Sequence, residues 1–210
     1  MSLEIEKRFK NFKYSETKKK LLENNFEKFG GFLFKIVTYK GLEKNQRIRV
    51  RDEGYRTVFT IKNIDAKNYD VEYEVIINDF NMMNQMLAQL KLDKNFELHK
   101  YREIYRSKNG KTEVIFDNFP GLPPYMEVES KTEKELQKTM KILGLSDEPK
   151  FSASDLYLEH YGITKDRPDF PLTFTNASEH LSKYITKNKK DFNDLLKKQS
   201  KKYNKKSKSK

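Results

Sequence analysis

The sequence predicts an α+β fold: a closed eight-stranded antiparallel β-barrel with a polar, charged lumen, surrounded by helices. Three observations carry this expectation. Strand-length segments with strict two-residue alternation recur about eight times along the chain. On most of them the charged residues of one parity share a single sign. The 210 residues include 15 Phe and 12 Tyr, enough apolar area for one well-cored domain despite a charged fraction of 35%.

The elements follow in order. Residues 3–9 (LEIEKRF) alternate and predict a strand. Ser15 to Phe29 predicts a helix, with Leu21, Leu22, Phe26 and Phe29 near helical spacing and Gly30-Gly31 as its stop. Strands are expected at 32–39, 46–52, 55–62 and 70–77, with a turn at Asp52-Glu53-Gly54. Asp79 to Leu92 predicts a second helix, with Asp79 as N-cap and Met82, Met83 and Met86 facing the core. Strands at 96–106 and 112–118 flank an Asn109-Gly110 hairpin signal, and a Pro/Gly turn leads to 124–130. Thr132 and Glu135 form a capping-box pattern for a helix to about Leu143, closed by Gly144. Further helices are expected at Ser152–Tyr161 and Ala177–Lys198.

The formal charge of +12 suggests a nucleic-acid binder until its distribution is considered. Residues 187–210 hold eleven Lys against Asp191 and Asp194, leaving only +3 for residues 1–186. The domain organisation expected is therefore a body over 1–186 and a Lys-rich helix end and tail over 187–210, disordered beyond about Gln199. The tail reads as a solubilising appendage with weak nucleic-acid or polyanion contact. No apolar run reaches membrane-spanning length and no leader pattern opens the chain, so a cytoplasmic location without membrane partners is expected. With no Cys, and with His99, His160 and His180 at no ligand spacing, any metal falls to carboxylates.

The alternation is the informative feature. Glu4, Glu6 and Arg8 share one face of the first strand, opposite Ile5 and Phe9. Arg47, Arg49 and Arg51 oppose Ile48 and Val50; Thr60 and Lys62 oppose Phe59 and Ile61; Glu72 and Glu74 oppose Val71, Tyr73 and Val75. Lys100, Arg102 and Arg106 oppose Tyr101 and Tyr105; Glu113 and Asp117 oppose Val114 and Phe116; Glu127 and Glu129 oppose Met126 and Val128. Like charges side by side repel unless a counter-ion or facing opposite charge offsets them. A closed barrel places them all in one lumen, with acidic pairs for a hard divalent cation and basic groups for a phosphorylated ligand.

The opening E-I-E-K-R resembles the E-x-E-x-K signature of the CYTH superfamily, the triphosphate tunnel metalloenzymes. The resemblance continues through R-I-R-V-R-D-E-G, T-I-K, V-E-Y-E-V, K-x-R-x-x-Y at 100–105, Asp117, and G-L-P-P-Y-M-E-V-E at 121–129. It covers about residues 3–160 and is nearest in pattern to the class IV adenylyl cyclase-like branch. It implies an eight-stranded tunnel binding a triphosphate with Mg²⁺ or Mn²⁺. It also implies metal ligation by Glu4, Glu6, Asp117, Glu127 and Glu129, and phosphate binding by Arg8, Arg49, Arg51, Lys62, Lys100 and Arg102. Glu4, Glu6, Arg8 and Lys62 are the implied catalytic residues, with Arg47, Glu72, Glu74, Arg106 and Glu113 as further lumen positions. Where the family signature has Lys the chain has Arg8, which keeps the charge but cannot give up a proton near neutral pH.

The expected activity is hydrolysis of inorganic tripolyphosphate or a nucleoside triphosphate. The alternatives are cyclisation of ATP to cyclic AMP and pyrophosphate, and a non-catalytic polyanion- or RNA-binding module. A monomer or homodimer is expected.

Overall fold

A computed structural model describes residues 5–63, 71–163, 171–185 and 188–207. Eight strands form one antiparallel sheet: β1 (Ile5–Phe9), β2 (Phe26–Lys40), β3 (Gln46–Asp52), β4 (Thr57–Asn63), β5 (Val71–Ile77), β6 (Lys94–Ser107), β7 (Thr112–Asn118) and β8 (Tyr125–Ser130). The helices are α1 (Tyr14–Glu23), α2 (Phe80–Gln89), α3 (Glu133–Leu143), α4 (Ala153–Tyr161), α5 (Ala177–Leu181) and α6 (Lys189–Ser207). The strand order is β1-β8-β7-β6-β2-β3-β4-β5. Among the described residues no ladder joins β5 to β1, so what the structure shows of the expected closed barrel is its eight-stranded antiparallel sheet.

The long strands β2 and β6 form the spine, pairing from Phe26↔Ser107 to Tyr39↔Lys94. The predicted helix through Phe29 is cut short, because α1 ends at Glu23 and β2 begins three residues later. Asn25, in the left-handed region at φ 62°, makes the change of direction. Gly30 and Gly31 are strand residues beside a register shift between Lys28 and Gly30. A Cβ on Gly30 would lie 2.3 Å from the Phe32 ring, and one on Gly31 would run into the Tyr101 hydroxyl. The pair makes room for a ring on each face of the sheet.

Helices cover one face. Phe9, Val114, Phe116, Met126 and Val128 pack with Leu21 of α1 and Leu136, Met140 and Leu143 of α3. Val37, Ile48 and Val50 pack under Leu87 of α2. Asp79 caps α2 as expected, accepting from the Met82 N–H at 2.8 Å. Met82 and Met86 do not join the core, however; both are exposed, and only Met83 packs against it. Tyr73 and Val75 are exposed as well, because β5 is the sheet edge in the described residues. On α3 the Thr132 hydroxyl accepts from the Glu135 N–H, and Gly144 ends the helix in the left-handed conformation. Ser152 and Asp155 form a full capping box on α4.

The C-terminal segment departs most from expectation. Instead of one helix from Ala177 to Lys198 and a disordered tail, α5 is followed by a 3₁₀ turn at Ser182–Tyr184 and by α6, which runs to Ser207. Gln199 and Tyr203 are buried. The Tyr203 ring packs on Tyr101 and Phe174, with centroids 4.8 and 4.4 Å away. With Leu196, Gln199 and Tyr203 buried and Phe192 partly buried, the helix has a docking stripe that lysine-rich composition conceals.

Candidate active site

Antiparallel partners point their side chains to the same face, so the register tests the alternation directly. Glu6 pairs with Glu129 and Arg8 with Glu127 across β1 and β8. Glu113 pairs with Glu129 across β7 and β8, while Arg106 pairs with Glu113 and Arg102 with Asp117 across β6 and β7. On the other half, Arg47 pairs with Lys62, Arg49 with Thr60, Thr60 with Glu74 and Lys62 with Glu72. Through β2, Arg102 shares its face with Phe32 and Arg49 with Thr38. Every candidate residue within the described segments therefore lies on the face opposite α1, α2 and α3. Glu4 lies outside the described residues.

On β6, β7, β8 and β1 the charges alternate in a bonded series. Lys100 donates to Asp117 Oδ2 at 2.9 Å. Arg102 grips Asp117 through Nε at 2.7 Å and Nη2 at 2.6 Å, and reaches Glu127 from Nη2 at 2.7 Å. Arg8 donates from Nε to Glu127 at 2.7 Å and from Nη2 to Glu6 at 2.8 Å. Burial lowers the Lys100 pKa to about 8, helped by repulsion from Arg102 and opposed by Asp117. Asp117 is fully buried, which favours its neutral form, but Arg102 and Lys100 hold its carboxyl well below the usual range. Arg8 is raised: its carboxylate partners Glu127 and Glu6 outweigh the opposing burial.

Glu6, Glu127 and Glu129 each offer an oxygen within 4.8 Å of the others. Each such carboxylate pair costs roughly 3 kcal/mol of repulsion at an effective dielectric near 20. Arg8, bonded to Glu6 and Glu127, and Arg102, bonded to Glu127, offset that repulsion. An all-oxygen donor set of this kind fits a hard divalent cation. Asp117 is outside this trio and is committed to Lys100 and Arg102.

The arginine half is held differently. Arg51 meets Glu53 at 2.5 Å and Glu74 at 3.3 Å, and Lys62 meets Glu72 at 3.0 Å. Arg49 Nε is buried with no hydrogen-bond partner among the described residues, and burial beside Arg51 lowers its pKa to about 10. A buried guanidinium edge without an acceptor is costly unless an anion arrives. Arg47 is exposed at the outer end of β3, and Arg106 pairs with Glu113 at 2.7 Å.

Two contributors escape sequence reasoning. Glu53 sits in the turn at Asp52-Glu53-Gly54, yet it is buried and pairs with both Arg51 and Arg56. Gln199 lies in a Lys-rich run, yet its amide bonds Gly121 N, Phe119 O and Leu122 O in the turn between Asp117 and Glu127. Only the 4-3-4 spacing of Phe192, Leu196, Gln199 and Tyr203 signals it. A cavity of about 340 Å³ lies under α3, lined by residues such as Phe26, Ser107, Thr112 and Thr139. Its strand residues belong to the helix-covered face, so it is separate from the charged groups.

An eight-stranded antiparallel sheet with one charged face and an acidic trio defines a class, and sequence comparison agrees: the CYTH domain profile matches residues 35–154, more than half of the chain. The chain belongs to the CYTH family. The match starts after β1, so Glu6 and Arg8 join the site by register alone. Among solved structures, the PH1012 protein of Pyrococcus horikoshii is 21% identical over 71% of this chain and 96% of its own, with a TM-score of 0.58. A candidate adenylate cyclase from Vibrio parahaemolyticus is 13% identical over 74% of this chain and 97% of its own, with a TM-score of 0.61. A candidate adenylyl cyclase from Hippeastrum, described as having a dominant triphosphatase activity, is 14% identical over 76% and 95%, with a TM-score of 0.53. No curated protein sequence matches the chain. Among the described residues, no helix is long and apolar enough to cross a membrane.

Proposed function

We propose that this CYTH protein is a divalent-metal-dependent triphosphatase acting on inorganic tripolyphosphate or a nucleoside triphosphate within a tunnel formed by the charged face. The observation that carries the reading is the convergence of Glu6, Glu127 and Glu129 on the face that also bears Arg49, Arg51 and Lys62. The trio, with Glu4, would hold Mg²⁺ or Mn²⁺. Such an ion supplies Lewis-acid stabilisation of charge on the transferring phosphoryl oxygens.

The chain's own residues do the rest. Arg49 has a donor free for a phosphate oxygen. Arg51 is preset by Glu53 and Glu74, so little reorganisation is needed when phosphate binds. Lys62, beside Glu72, adds a mobile point charge for the leaving phosphate as the P–O bond breaks. Arg8 remains protonated between Glu6 and Glu127 and serves as a phosphate donor, not as a base. Lys100, Asp117 and Arg102 form a clamp that fixes Glu127 and leaves an ammonium and a guanidinium beside the substrate. Arg47, Glu72, Glu74, Arg106 and Glu113 border the same face. The lysines at 197, 198, 201 and 202 face outward on α6 and would make any polyanion contact.

Cyclisation of ATP is the second reading, supported by the resemblance around Asp117–Glu129 and by the Vibrio relative. Incubation with tripolyphosphate or ATP, with Mn²⁺ or Mg²⁺ and with or without EDTA, tests both. Metal-dependent release of orthophosphate is expected. Cyclic AMP with pyrophosphate would establish the cyclase, and turnover of neither substrate would leave a binding module.

A further inference from the structure

Three aromatic rings stand where the two charged halves of the sheet meet. Phe32 is the register partner of Arg102 and lies on the charged face. Phe29 is the extra residue at the β2 register shift, which turns its ring towards the same side: the Arg106 guanidinium carbon stands 3.6 Å from its centroid. Tyr55 comes from the β3–β4 turn, brought over by the positive-φ Gly54, whose Cβ position lies 3.2 Å from Phe32. The centroids are 5.7 Å apart for Phe29–Phe32, 5.4 Å for Phe29–Tyr55 and 4.7 Å for Phe32–Tyr55.

Ring clusters on a charged sheet face are unusual as core, and this one is not closed. Phe29 and Tyr55 each keep 41% of their surface exposed, and among the described residues no helix residue is a ring partner of either. The patch touches both sides of the site. Arg102 and Arg106 connect it to the carboxylate half, while Glu53, within the Tyr55 turn, holds Arg51 of the other half. Cationic groups also lie over the rings, Arg56 over Tyr55 at 5.6 Å as well as Arg106 over Phe29. Exposed rings with guanidinium planes are what a purine or pyrimidine uses for sequence-tolerant stacking. Inorganic tripolyphosphate has no use for them.

We propose that Phe29, Phe32 and Tyr55, flanked by Arg56 and Arg106, form a base-stacking platform, making the substrate class of this site a nucleoside triphosphate and not the inorganic chain. The inference rests on the triphosphate reading above and adds the nucleoside end. Stacking of this kind discriminates little among bases, so ATP and GTP should bind alike.

The test is titration calorimetry of the full chain with ATP and with tripolyphosphate, both with Mg²⁺, for the native protein, Tyr55→Ala, Phe29→Ala, Phe29→Leu and Tyr55→Phe. One lost stacking partner is worth about tenfold in affinity or more. The ratio of ATP to tripolyphosphate affinity is expected to fall by about that factor in both alanine variants and in Phe29→Leu, and to stay native in Tyr55→Phe. A ratio unchanged in all variants overturns the platform while leaving the triphosphate reading intact. Failure of the native protein to bind either ligand overturns both. Thermal melts verify that each variant is folded, and Phe29→Leu preserves apolar bulk should Phe29→Ala unfold.

Discussion

Arg102 holds Asp117 with two nitrogens, at 2.7 and 2.6 Å, and spends the second of them on Glu127 as well. One guanidinium thereby ties the C-terminal end of β7 to Glu127 of β8. Asp117, a proposed metal ligand, also anchors this clamp through Lys100 and Arg102. Bidentate pairing with a guanidinium compensates the burial of its carboxylate.

The acidic trio makes the first prediction. Glu6→Gln and Glu129→Gln each remove one of three mutually repelling charges. Turnover in Mg²⁺ or Mn²⁺ should fall roughly 100-fold or more, with the melting temperature unchanged or slightly raised. Kinetics alongside a thermal scan measure both, and a variant with native turnover would count against the metal assignment.

Arg49 has a donor without an acceptor, so it should trade stability for binding. Arg49→Ala is expected to weaken triphosphate affinity by about tenfold or more while leaving the unfolding free energy equal or higher. A large loss of stability would mean that the guanidinium supports the fold instead.

Glu103, on the helix-covered face, predicts acid sensitivity. Burial opposes its ionisation, yet hydrogen bonds from Lys28, Tyr14 and Lys18 hold its carboxyl down to about 2. A carboxylate depressed in the folded state stabilises fully above its unfolded pKa, and that contribution is lost as pH falls from about 4.5 towards 2. The full contribution is about 3 kcal/mol. Urea unfolding of Glu103→Gln against the native chain should show a gap at pH 6 that narrows to about a quarter of its size by about pH 2.5. A gap independent of pH would refute the account.

Gln199 predicts that α6 is an integral part of the body. Gln199→Ala strands one buried N–H and two buried carbonyls, a loss of roughly 2–4 kcal/mol in denaturant titration. Because the turn it grips joins Asp117 to Glu127, metal-supported turnover should fall further than the unfolded fraction explains. A stable and fully active variant would return α6 to the status of an appendage.

Much of the site is legible in one dimension. Two-residue alternation is a local property of an extended chain, and it assigned Arg49, Lys62, Arg102 and Glu127 to one face before any pairing was known. Caps at Asp79, Thr132 and Ser152 are equally local, since the bonds they make lie within one turn. The Gly30-Gly31 pair was not legible, because its purpose is room for Phe32 and Tyr101, one of them seventy positions away.

The amino-acid order by itself determined which side chains share a strand face and where the caps at Asp79, Thr132 and Ser152 fall. Tertiary structure alone decided which carboxylates meet, that Asp117 answers to Arg102, that α6 docks through Gln199 and Tyr203, and that Phe29 and Tyr55 come together beside the arginines. The reason is physical: alternation depends on neighbouring bonds along a strand, whereas charge pairing and burial depend on register between strands far apart in the chain.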